Sequence, residues 1–314
     1  MKTAARSWKR CMIDKSKMTV DELFEAWFST KEKSISPATY NRYHSYYTHY
    51  LSPGFSERKV NDITCEEWER FENDMVSVKG TNGKKLTLAM VRKMLHAFHK
   101  VFEYGHTEFG LNDPTGGKIL SGTKFVPDDY FSDEETAKME AAALRFNIAH
   151  ICILICLHAG TLQSEICGLR WEDIDADNKV INIRRSIRKD PNAPNKMSNS
   201  LCEVTPRNKR AIRDLRLPDD LMEQLTLIKR MHTDYEYVLT GKTKAMMPTT
   251  FANHHYVNFL DLAGVKNRKF AALRNTFAKK SIENCMDCET LSRLLGDSND
   301  EYTRKKYYET YITT

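Results

Sequence analysis

The chain has 314 residues with 48 lysines and arginines against 42 acids, a formal net charge of +6, and 41% hydrophobic residues. That length and composition suit a folded protein of two domains, and exclude wholesale disorder. Glycine and proline together make up only about 7% of the chain, well below the usual share, so helix rather than turn-rich β architecture is expected.

Met1 to Lys17 is a short basic lead without periodicity. Thr19-Val-Asp-Glu22 then forms a capping box that opens a helix carrying Leu23, Phe24, Trp27 and Phe28. Ser36-Pro37 starts a second helix, on which Tyr40, Tyr43, Tyr47 and Tyr50 recur at three- and four-residue steps. Thr64-Cys-Glu-Glu67 opens a third with Trp68 and Phe71, and a fourth runs from about Leu86 to Tyr104 with Leu88, Val91, Leu95, Phe98, Val101 and Phe102 on one face. Residues 18 to 109 therefore read as a four-helix domain. The Gly- and Pro-containing stretch 110 to 130 reads as a linker.

Ser132-Asp-Glu-Glu135 caps the first helix of a second domain, residues 131 to 314, which is expected to run through Met139 and Leu144. Ile148 to Ala159 is apolar almost all round, hence a buried helix, and with His150 and His158 it is too short and too polar to span a bilayer. Lys179 to Arg185 alternates as a half-buried strand, and Cys202 to Leu217 suggests a hairpin around Pro206-Arg-Asn-Lys209. Helices follow over 219–231, 249–262, 269–283, 288–295 and 300–311. The fold class expected is mainly α with a small antiparallel β-sheet.

The eight cysteines are scattered and read mostly as small apolar side chains, and Cys285-Met-Asp-Cys288 as thiols at a helix junction rather than a metal site. The adjacent His254 and His255 would face different ways on one helix. No secretory signal is visible, so a cytoplasmic protein of a bacterial cell or phage-infected host is expected. Nothing calls for a cofactor, a metal or a membrane partner.

Charge is concentrated between Arg184 and Arg216, where ten lysines and arginines face three acids, a surplus larger than that of the whole chain. A solvated surface sheet would explain such a cluster. So would contact with phosphates, where each neutralised phosphate adds salt-dependent affinity. A smaller basic run, Lys79, Lys84, Lys85, Arg92 and Lys93, lies ahead of and within the fourth helix. Basic faces on two domains suggest a clamp around double-stranded DNA.

The chain resembles the tyrosine recombinases, the integrase family of phages and conjugative elements. The resemblance rests on Ala159-Gly160-Thr-Leu162-Gln-Ser-Glu165-Ile-Cys-Gly-Leu-Arg-Trp171-Glu-Asp-Ile-Asp175, on Thr205-Pro-Arg207-Asn-Lys209 through Pro218, and on Leu239-Thr-Gly-Lys242. It continues with Ala271-Ala-Leu-Arg274-Asn-Thr-Phe277-Ala278, with Leu294-Leu-Gly296-Asp297-Ser-Asn299, and with Tyr307 eleven residues after Gly296. The four-helix domain is similar to the family's SAM-like core-binding domain, down to Ser36-Pro-Ala-Thr39 and Asn112-Asp-Pro114.

What the resemblance implies is a two-domain DNA clamp that breaks and rejoins strands. A tyrosine attacks a phosphodiester to form a 3'-phosphotyrosyl link, while two arginines and a histidine stabilise the charged phosphorus, a lysine protonates the leaving oxygen and a further histidine or tryptophan positions the phosphate. Carried over, the catalytic residues are Tyr307, Arg274 and Lys209, with Arg207, Arg210, Arg184, Arg185, Lys84 and Lys85 on DNA phosphates. Either Arg207 or Lys209 takes the lysine's place, and an arginine there would be a poor proton donor.

Three family positions are changed. The first box should read Gly-x-Arg-x-Ser-Glu but has Leu162, the second should read His-x-x-Arg but has Ala271, and Asp297 stands where His or Trp is expected. Losing one preorganised donor costs roughly 2–4 kcal/mol, or 10² to 10³ in rate. Two functions are therefore expected in competition: an integrase of a mobile element with impaired strand cleavage, or a non-catalytic DNA-binding regulator or accessory partner of an active recombinase. Homo-oligomers on DNA, or pairing with another recombinase, go with either. Seven residues follow Tyr307, short for the C-terminal exchange between neighbours that the family uses, and the lead before Thr19 is too short for an arm-binding domain.

Overall fold

The computed structural model describes residues 17–31, 34–35, 37–80, 83, 85–116, 129–144, 146–190, 200–206, 208–231, 236–239 and 245–311. The chain divides into two compact units, Met1–Lys124 and Phe125–Thr314. Each has its own apolar core.

The first unit is helical. Helix α1 (Val20–Lys31) starts at the predicted capping box, with Glu22 N donating to Thr19 Oγ1 and Thr19 N to the Glu22 carboxylate (3.2 and 3.0 Å). It buries Leu23, Phe24, Trp27 and Phe28. Helix α2 (Pro37–Tyr46) continues through a wider π-wound turn, Tyr47–Leu51, and Ser52–Phe55. Tyr47 stacks on Phe24, 3.8 Å between ring centroids, and donates to Asp21. Helix α3 (Cys65–Met75) is capped by Thr64, and α4 (Leu88–Phe109) buries Val91, Leu95, Phe98, Val101 and Phe102 along one stripe. Leu88 departs from the expected stripe: it sits in the first turn, above the packed surface, and is exposed. Asn112 returns to this unit, its amide donating to Ile63 O (2.7 Å).

In the second unit, α5 (Asp133–Ala142) starts at the Ser132–Glu135 capping box and stops before Leu144, which is exposed rather than part of the helix. Helix α6 (Ile148–Ala159) is buried along its length apart from Ile148 at its start and His158, as its sequence requires. A single turn, α7 (Gln163–Ile166), follows. Strands β1 (Ile174–Asp175), β2 (Val180–Ile183) and β5 (Arg213–Arg216) form one antiparallel sheet, and β3 (Ser186–Lys189) and β4 (Leu201–Val204) a second.

The hairpin expected over 202–217 therefore does not form. Strand β4 pairs with β3 and β5 with β2, because Ile181, Ile183 and Leu215 must share one buried face, which the register Ile181↔Leu215 achieves. The remaining elements are α8 (Asp219–Met231), α9 (Val257–Leu262) after a π-wound turn at Phe251–Tyr256, α10 (Ala271–Glu283), α11 (Cys288–Leu295) and α12 (Asp300–Thr303). A π-wound turn, Arg304–Tyr308, extends α12. Among the described residues no helix is long and apolar enough to cross a membrane.

Candidate active site

Leu162, Ala271, Arg274 and Asp297, from three separate sequence motifs, line one cavity of about 680 Å³ in the second unit. Leu162 lies at the start of α7, Ala271 and Arg274 in the first turns of α10, and Asp297 just after α11. Two glycines hold these segments together. Gly160 ends α6 at φ +63°, and a Cβ there would lie 2.6 Å from Phe277 and 2.9 Å from Leu295. Gly296 ends α11 at φ +69°, where a Cβ would meet Arg213 at 2.9 Å and the Ala211 backbone at 3.0 Å. Any side chain at either position would clash as well as strain the backbone.

Arg274 is buried. Its Nη1 donates to Gly160 O (2.8 Å) and Leu295 O (2.7 Å), and its Nη2 donates to Asp297 Oδ1 (2.8 Å). Asp297 Oδ2 accepts from Thr303 Oγ1 (2.9 Å) on α12. The aspartate that stands in place of His or Trp thus neutralises the retained arginine and ties it to the tail. Burial pulls the guanidinium pKa down, but Tyr307, Asp297 and Glu165 around it more than offset this and hold it above its ordinary value.

Tyr307 is completely buried, at 0% exposure, against Ala278, Leu291 and Leu295. Burial pushes its phenol pKa up, Arg274 beside it pulls back and Asp297 pushes further up, with a net rise. The fold thus favours the neutral phenol over the phenolate.

The remaining sequence candidates fall in different places. Lys209 is exposed at the start of a single turn, Lys209–Ala211, which Asn208 caps while its amide donates to Gly296 O (3.3 Å). Arg210 is exposed and pairs with Asp300 (2.5 Å). Arg184 pairs with Asp214 (2.9 Å), and Arg185 is drawn into a network with Asp173, Glu172 and Glu203. Lys85 is exposed in a bridge with Lys79, ahead of α4. Arg207, Lys84 and Lys242 lie outside the described residues.

Two features escaped the sequence reading. Arg213, counted there among the patch cations, is buried and meets Glu165 through two parallel bonds (3.0 and 2.9 Å) while donating to Leu294 O (2.6 Å). The signal available in the sequence was its two-residue spacing from Leu215, which puts both on one face of a strand. Lys306 also lines the cavity, and only its place next to Tyr307 could have pointed to it. Cys285 is exposed, and the Cys288 thiol donates to Asp300 O (3.3 Å).

The model of the phage integrase family matches residues 131–312, and that of the phage integrase N-terminal SAM-like domain matches residues 19–76. The chain belongs to the phage integrase family. Among curated relatives of this integrase, a tyrosine recombinase XerC-like protein of Caldanaerobacter subterraneus subsp. tengcongensis is 28% identical over 94% of this chain and 80% of its own length. The Tn1549 transposon integrase, solved in complex with a circular intermediate DNA, has the same fold: TM-score 0.71 at 13% identity, covering 92% of this chain and 95% of that one. A lambda integrase tetramer bound to a Holliday junction gives TM-score 0.60 at 15% identity, over 93% of this chain and 81% of that one.

Proposed function

We propose that this integrase binds duplex DNA and is impaired in strand cleavage. The observation that carries the second half is the Arg274–Asp297 pair in a cavity whose other family positions are Leu162 and Ala271. A transition state that spreads negative charge over a phosphorus needs donors aimed at it. Here the retained guanidinium already donates to a carboxylate and two carbonyls, and the two replaced positions have no donor to add.

Binding is a separate requirement, met by phosphate contacts that need no catalytic geometry. The DNA complexes of the Tn1549 and lambda integrases support it for this fold. Lys209 and Arg210 of the second unit and Lys85 of the first are exposed cations suited to such contacts, with Arg207 and Lys84 beside them in sequence. Arg184 reaches a phosphate by exchanging Asp214 for it. Arg185, largely enclosed and tied to Asp173 and Glu172, is the least suited of the set.

The burial of Tyr307 favours the role of a regulator or accessory partner of an active recombinase over retained strand exchange. Assembly on DNA, with its own copies or with that recombinase, belongs to the same reading. The test is duplex affinity across a salt series for the wild type and for Arg207, Lys209 and Arg210 neutralised together. Steeply salt-sensitive binding that the triple substitution weakens is expected. Affinity that is unmeasurable at low salt, or unchanged by the substitution, overturns the proposal.

A further inference from the structure

Arg210 stands between Asn208 and Ala211, two residues of the cavity lining, on a turn whose backbone is fixed from both sides. Asn208 Oδ1 accepts from Ala211 N (2.9 Å) and its amide donates to Gly296 O (3.3 Å), while Arg213 Nη1 donates to Ala211 O (3.0 Å). The main chain at Arg210 therefore keeps its place without help from the side chain. The side chain is long and exposed, and an arginine left to itself samples many rotamers.

One nitrogen of this guanidinium is held. Nη1 donates to Asp300 Oδ1 (2.5 Å) and to Ser292 Oγ (3.4 Å), which uses both its hydrogens. Among the described residues Nη2 and Nε have no acceptor, and these two carry the parallel N–H groups that fit two phosphate oxygens. Arg184 differs: Asp214 and Asn182 take its Nη2, so no such pair is left intact.

Asp300 is placed independently of the arginine. It opens α12 after Asn299, whose side chain accepts from Tyr302 N (2.8 Å), and its own carbonyl accepts from the Cys288 thiol (3.3 Å). An ion pair this open to solvent, with side chains 41% and 38% exposed, adds little to stability. What it fixes is the direction of the guanidinium.

We infer that Asp300 is a positioning residue for DNA binding: from the start of α12 it holds Arg210 by one nitrogen, so that the other two meet a backbone phosphate at the edge of the cavity. The inference rests on the duplex-binding reading above. A carboxylate near DNA also repels phosphates, so removing Asp300 acts in two directions, and its coupling with Arg210 separates them.

The test is a double-substitution cycle in the full chain on a mixed-sequence duplex, read as affinity across a salt series. Arg210→Gln is expected to lower the slope of log affinity against log salt by about one. Asp300→Ala is expected to weaken wild-type binding about two- to tenfold, the cost of ordering one long side chain, and to cause no weakening in the Arg210→Gln background. Ser292→Ala removes the second partner of Nη1 without changing charge and is expected to show coupling of the same sign. Glu301→Ala removes the next acid of the same turn, which pairs with Lys305, and is expected to show no coupling with Arg210. Suppose that the wild type binds with salt sensitivity, but Arg210→Gln leaves the slope unchanged, or Asp300→Ala leaves wild-type affinity unchanged, weakens both backgrounds equally, or tightens binding where Arg210 is present. Any of these overturns the inference and leaves the binding proposal standing. A wild type that shows no salt-sensitive binding overturns both.

Discussion

Arg274 donates to Asp297 at 2.8 Å with both side chains buried, and the second carboxylate oxygen of Asp297 takes the Thr303 hydroxyl at 2.9 Å. One aspartate thereby joins α10 to α12, the helix that leads into Tyr307. Its effect is twofold: it cancels the charge of the retained arginine, and it fastens the tail that carries the tyrosine.

Breaking that pair from one side leaves a buried charge uncompensated. Asp297→Ala is expected to destabilise the second unit by about 3–5 kcal/mol, while the double substitution Arg274→Met, Asp297→Leu recovers most of the loss. Denaturant unfolding of both variants checks this, and a single substitution within about 0.5 kcal/mol of wild type would show that the pair is not buried as described.

Two of the φ-positive glycines, Gly160 and Gly264, separate strain from crowding. Both have left-handed backbone, but only at Gly160 would a Cβ meet other atoms, Phe277 at 2.6 Å being the nearest. Gly264→Ala is expected to cost about 1 kcal/mol from backbone conformation alone, and Gly160→Ala clearly more. Equal losses in thermal or denaturant melts would mean that Phe277 and Leu295 move aside freely.

Because the folded state raises the Tyr307 pKa, the neutral phenol is favoured in the fold. Its contribution to stability is fully present below the unfolded tyrosine pKa of about 10 and is lost as pH rises through the folded value. Stability should therefore fall above about pH 10, and less steeply in Tyr307→Phe. Tyr256, also raised by burial, keeps the slope from vanishing. Urea unfolding on both sides of that pH gives the comparison, and identical slopes would contradict the burial of the phenol.

Restoring the family pattern makes a gain-of-function test. Leu162→Arg, Ala271→His and Asp297→His together add donors and release Arg274 from its carboxylate. The triple variant is expected to form a covalent adduct on a suicide duplex and to lose it with Tyr307→Phe, and single substitutions to give little, since such groups act as a unit. No adduct from a folded triple variant would mean that the tail position of Tyr307, rather than the missing donors, is what prevents cleavage.

Much of this was legible in the residues. The capping boxes at Thr19 and Ser132 mark helix starts because their hydrogen bonds are local, and the apolar run 148–159 could only be a buried helix. Leu162, Ala271 and Asp297 could be placed in one site by their motifs. What escaped depends on contacts across long stretches of sequence. Strand β5 pairs with β2, about thirty residues earlier, instead of with its neighbour β4. Arg213 reads as one more cation of a basic run until its burial against Glu165 is seen. In the sequence Asp297 is only an acid where His or Trp is expected, and the fold shows it tied to Arg274.

Binding without efficient cleavage is the behaviour that the Arg274–Asp297 pair leads to. The most direct measurement is a covalent-adduct assay on a nicked suicide duplex carrying the protein's own attachment site, with duplex occupancy read in the same samples by mobility shift. An occupied duplex and no adduct are expected from the wild type. An adduct from the wild type that disappears in Tyr307→Phe would contradict that expectation.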